Sequence, residues 1–197
     1  MREILLGFFA LAILSACGGG STSNPPPISG INALRAETSR LAAIGETLDV
    51  TPADSVAVTG GAEFKGVLAV GLLPDSYGGI GLGGDMTMGV NFDTGDVTGE
   101  VVDFYSRDGD ALDGALALSN GAAFAFADGV FVGAEVSGDL EIYGEVKDVE
   151  GIIAGGVAGD SGEIVAGLVE LDYDWQLPGD GPIITTTLEG GFIVERQ

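Results

Sequence analysis

The chain has 197 residues, of which 35 are glycine, none is histidine and 46% are hydrophobic. Thirty acidic residues face seven basic ones, a formal net charge of −23. Without histidine the usual general base and the Ser-His and Cys-His nucleophile pairs are gone, and such acidity repels phosphate, so most hydrolase chemistry and nucleic-acid binding are excluded.

Residues 1–16 read as a lipoprotein signal peptide. Arg2 supplies the positive charge, and Ile4 to Leu14 form an apolar run too short for a bilayer, which needs ~20 residues. Leu14-Ser15-Ala16-Cys17 has the form of a lipobox, in which cleavage before Cys17 leaves that residue as the lipidated N-terminus. Cys17 is the only cysteine, so it has no disulfide partner within the chain and acylation accounts for it. Residues 17–28 continue as a flexible Gly/Ser then Pro-rich tether. Gly18 and Gly19 replace the acidic residue of an inner-membrane retention signal, which points to the outer membrane, on its surface or its periplasmic face. The membrane is thus an expected partner, through Cys17.

Residues 29–46 read as one short helix. Ile31, Leu34, Leu41 and Ile44 share a face, Ser29 is the expected N-cap, and Gly45 the expected stop. Residues 50–197 form the second region. From about Ala57 the apolar period becomes two: Met86, Met88, Val90 and Phe92 alternate with Asp85, Thr87, Gly89 and Asn91. Further strands are expected at Leu112–Leu118, 130–136, 140–146, 152–157, 164–171 and 184–194. Turn signals stand at Asp93-Thr94-Gly95-Asp96, Arg107-Asp108-Gly109-Asp110, Ser119-Asn120-Gly121, Asp128-Gly129, Gly138-Asp139 and Gly159-Asp160-Ser161-Gly162. The expected fold is all-β: an eight-stranded antiparallel up-and-down β-barrel preceded by a short N-terminal helix. Glycines recur inside the strands at 66, 99, 114, 133, 144, 155 and 167, where each strand is expected to coil around a small barrel.

Three motifs carry chemical alternatives. Asp93-Thr94-Gly95 spells the aspartic-protease signature, but that site needs two such aspartates, and the chain has one copy. It reads as a hairpin tip, with Asp93 bonding the backbone ahead of it and Gly95 at positive φ. Asp108, Asp110 and Asp113 lack EF-hand spacing and read as a solvated acidic tip. Asp172, Asp174 and Trp175 form an acidic-aromatic group at a strand end, with Trp175 expected in the barrel mouth. No catalytic residue, metal site or cofactor is expected, and the chain is not read as an enzyme. A transmembrane barrel is also set aside, because aromatics are 7% and Asp and Gly interrupt the strands.

The stretches "GVNFDTGDVTGEVVDFYSRDGDALDGALALSNG" and "VFVGAEVSGDLEIYGEVKDVEGIIAGGVAGDSGEIVAGLVE" resemble the β-barrel domain of transferrin-binding protein B and related bacterial surface lipoproteins. The likeness lies in a strand ending Asn91-Phe92-Asp93, a hairpin, Val97-Thr98-Gly99, a later Leu-x-Gly strand and a Gly-rich strand pair ending near Ile164 to Val169. It spans roughly residues 57 to 171. The resemblance implies an exposed lipoprotein of the factor-H-binding or solute-binding kind, with a host or environmental protein or a small ligand as partner. The alternative is a non-catalytic acidic structural or surface-coat lipoprotein.

Overall fold

The computed structural model describes residues 30–49, 60–71, 81–126, 129–176 and 181–197. The expected signal peptide, Cys17, the tether and Ser29 lie outside the described residues. Helix α1 spans Ile31–Gly45 and is followed by strands β1 (Gly61–Gly71), β2 (Gly81–Asn91), β3 (Asp96–Ser106), a two-residue β4 (Ala111–Leu112), β5 (Gly114–Phe126), β6 (Gly129–Ile142), β7 (Glu145–Ala158), β8 (Ile164–Gln176) and β9 (Ile183–Arg196). Every pairing is antiparallel. The eight long strands form a closed barrel, because β2 pairs with β3 and β1 pairs with β9. Closure removes the unpaired strand edges that an open sheet of this size would expose. The barrel has a lower end, at the β2–β3 turn, and an upper end, at the β6–β7 turn.

Period-two alternation decides what points inward. Phe64, Leu68, Met86, Met88, Phe104 and Leu116 are among the fully buried side chains that fill the cylinder. Met and Phe suit this space because they fill irregular gaps between curved walls. Some strands carry glycine where the walls come too close for a side chain. A Cβ at Gly66 would collide with the Ile193 carbonyl, and one at Gly167 with the Ala154 carbonyl. Of the glycines expected at coiling points, Gly66, Gly99, Gly114, Gly155 and Gly167 sit where a Cβ would strike a neighbouring strand. The same is not true of Gly133, which has ordinary room for a Cβ, or of Gly144, which lies in a turn at φ 76°.

Helix α1 lies outside the barrel. Leu34 and Leu41 are buried with Val67, Ala158, Ile164 and Ile193, on the outer wall of β1, β8 and β9 and at the end of β7. Its cap is Gly30 rather than a side chain: the Gly30 carbonyl accepts from Ala33 N at 3.0 Å and Leu34 N at 3.2 Å. Gly45 ends the helix as expected.

Two turn expectations and one strand expectation are corrected. Gly138-Asp139 is not a turn, because β6 runs straight through it to Ile142. The hairpin falls instead at Tyr143-Gly144, so residues 140–146 are two strand ends and not a strand. Tyr143 and Gly144 both take positive φ, 55° and 76°, the geometry of the two-residue turn that matches strand twist. Ser119-Asn120-Gly121 is a bulge inside β5, with Asn120 at φ 49° and the register shifting between Ser119 and Ala122. An extra residue there bends the strand without ending it.

Candidate binding surface

The three motifs each have a definite place. Phe92–Gly95 is the β2–β3 turn. Asn91, not Asp93, organises it: the Asn91 Oδ1 accepts from Asp93 N at 3.0 Å and Thr94 N at 3.2 Å, and the Asn91 carbonyl accepts from Gly95 N at 2.7 Å. Gly95 sits at φ 81°, as the turn requires. The Asp93 carboxylate is exposed at the tip.

The Arg107–Asp110 turn is closed by Ser106. Its hydroxyl accepts from Asp110 N at 3.1 Å and its N–H donates to the Asp110 carbonyl at 2.8 Å. Asp113 is drawn to β6 instead, where its N–H donates to Glu141 and its carbonyl accepts from Glu141 N. Asp108, Asp110 and Asp113 therefore do not converge. Among the described residues no group of three or more His, Cys, Asp or Glu is placed to hold a metal ion.

Trp175 occupies the upper barrel mouth, as expected. It follows the inward series Val169, Leu171 and Tyr173 along β8 and packs on the core while staying partly open to solvent. Tyr143 meets its ring edge-to-face at 5.5 Å, and the Lys147 ammonium stands 4.8 Å from its centre. Lys147 is also paired with Glu145. Burial pushes the Tyr173 phenol above its usual range, helped by Tyr143 and opposed by a bond to Thr186. Trp175, Tyr143 and Lys147 thus form an aromatic-cation stack at the mouth.

The outer wall of β5–β8 is different, and sequence reading missed it. Strand register sorts its outward residues into rows around the barrel. Two lower rows are wholly apolar: Ala122, Gly133, Ala154 and Leu168, then Phe124, Phe131, Gly156 and Ala166. Ile152 adjoins them above and Phe126 below. Phe124, Phe126 and Phe131 pack on one another with ring centres 5.4 Å and 5.9 Å apart. Phe124, Phe126, Ile152 and Leu168 remain exposed. The rows above are acidic. Asp139 stands opposite Asp148, Glu150 opposite Asp172 and Glu170 opposite Glu189. Like charges directly opposite destabilise a sheet. Among the described residues the salt bridges are Arg40 with Glu37 and Glu195, and Lys147 with Glu145, and none of these reaches the like-charge pairs.

The sequence signal for this wall was present in "AAFAF", Ala122 to Phe126, and in Ile152-Ile153-Ala154. Such runs are apolar on both strand faces, whereas a half-solvated strand alternates.

No family model matches the chain, and a search of curated proteins finds no significant match.

Proposed function

We propose that the protein is a lipid-anchored binding protein of the bacterial cell envelope, similar to the barrel domain of transferrin-binding protein B, and that it acts without catalysis. The observation that carries the binding role is the barrel's solidity. Its interior is filled by its own side chains, so recognition falls to the outer wall, the rims and the turns. A packed scaffold holding exposed surfaces is how such recognition is usually built. The upper outward rows of the wall are acidic, with Asp139 opposite Asp148 and Glu150 opposite Asp172, whereas a membrane-spanning barrel turns a continuous apolar band to lipid. Attachment then rests on Cys17. Several acyl chains, at ~0.8 kcal/mol per buried methylene, give stable anchoring where one would not.

The test has two arms. Cells fed an alkyne-tagged palmitate are expected to label the wild-type protein and not Cys17→Ala, with the variant released from the membrane fraction. Protease treatment of intact cells reports orientation, since a surface-facing chain is cut and a periplasmic one is spared. Equal labelling of both proteins would remove the anchor from this reading.

A further inference from the structure

The stretch of outer wall next to the apolar rows is covered by α1. Helix α1 buries Leu34 and Leu41 against Ile164, Ile193 and Val67, and its Arg40 bonds Glu195 on β9 at 2.7 Å. The apolar belt does not stop at the helix. Ala166, half-buried beside α1, is next but one along β8 to the exposed Leu168. From there the belt passes to Ala154, Ile152, Phe131, Phe124 and Phe126, and among the described residues no element lies over it.

We propose that this uncovered part of the belt docks an amphipathic, basic helical segment of another protein, in the manner of α1. This rests on the binding-protein reading and names its surface and partner chemistry. Two features select the occupant. The first is charge: among the described residues no cation pairs with the three like-charge pairs above the belt, and a row of Lys or Arg beside an apolar stripe would supply one. The second is area. Phe126 is 60% exposed and Leu168 56%, and with Phe124 and Ile152 the belt offers roughly 400 Å² of apolar surface. Two copies meeting on the belt alone would bury about 800 Å² in total, below the ~1,000 Å² of a specific interface. A fuller overlap of two copies would press acidic rows together. A basic helix instead uses belt and acidic edge at once.

The probe is a synthetic Leu/Lys amphipathic peptide of about 18 residues, long enough to hold a helix on contact. Its controls are a Leu/Glu peptide of the same pattern and a Gly/Lys peptide of the same charge. The full-length protein is held in zwitterionic nanodiscs, with empty nanodiscs correcting for uptake by lipid. The Leu/Lys peptide is expected to bind, to photo-cross-link to β5–β8, and to weaken as salt rises to about 0.3 M. The double change Phe126→Ser with Leu168→Ser, or Ile152→Thr if that protein folds poorly, is expected to weaken binding about tenfold at unchanged charge. Glu150→Gln with Glu170→Gln should weaken binding while raising the melting temperature, an opposition that a merely structural role would not produce.

The proposal is overturned by an absence of Leu/Lys binding, by equal binding of the Gly/Lys or Leu/Glu peptide, or by indifference to the belt substitutions. A dimer in sedimentation that the Phe126 change dissolves would assign the belt to a second copy. Capture of the protein by zwitterionic vesicles through the same residues would assign it to lipid. Peptide failure beside a partner cross-linked elsewhere on the barrel would refute this surface and leave the binding-protein reading standing.

Discussion

Asp85 is the residue most at odds with its surroundings. It lies on the outer register of β2, near Glu37 of α1 and Asp103 of β3, and its Oδ1 is buried without a hydrogen-bond partner. Arg40 bonds Glu37 and Glu195 rather than Asp85. Burial pushes the Asp85 carboxyl up from 3.8 to about 6, and the charges of Asp103 and Glu37 add to the rise. A raised carboxyl binds its proton more tightly when folded, so stability falls as pH climbs from 3.8 to about 6 and the loss is complete above that range. Asp85→Asn is therefore expected to stabilise the protein at neutral pH. The gain is on the order of 1 kcal/mol, discounted because the carboxyl is partly in water. Urea titrations of both proteins across this range should converge at its acid end. A gap that persists there would mean that Asp85 is not the titrating group.

At the scale of elements, α1 is attached by few residues. Leu41 is fully buried between the helix and the wall at Ile193 and Ile164. Leu41→Ala is expected to cost about 2–4 kcal/mol in chemical denaturation. Limited proteolysis should then cut first within α1, if the helix loosens before the barrel opens. The helix and most strands were legible because their apolar periods, 3.6 and two, are strong in the sequence. The β2–β3 turn was legible from its Asp, Thr and Gly residues, although Asn91 rather than Asp93 proved to hold it. The β6–β7 hairpin was not, since Gly138-Asp139 has turn chemistry but sits in a strand whose neighbours keep it extended. There the glycine serves a close approach: a Cβ at Gly138 would strike the Ala115 carbonyl. The outer belt was legible only as runs apolar on both faces, and such a run does not say which face turns inward. Only register, fixed by pairing with both neighbours, decides it.

For the whole molecule, the charge of −23 acts as a uniform stress. Self-repulsion opposes the compact state and salt screens it. The melting temperature is expected to rise by several degrees between low salt and about 0.5 M NaCl, followed by circular dichroism. A flat response would show that the carboxylates are too far apart in solution to repel.

The seam between β1 and β9, where Phe64 lies beside Arg196, sets the order of events in the protein's making. The cylinder can shut only when its last stave arrives, so a partly synthesised chain keeps two raw edges and a wet core. Such a chain has little to lose by staying unfolded until that strand is made. A product shortened within β9 should be recovered as insoluble or degraded material rather than as a smaller barrel.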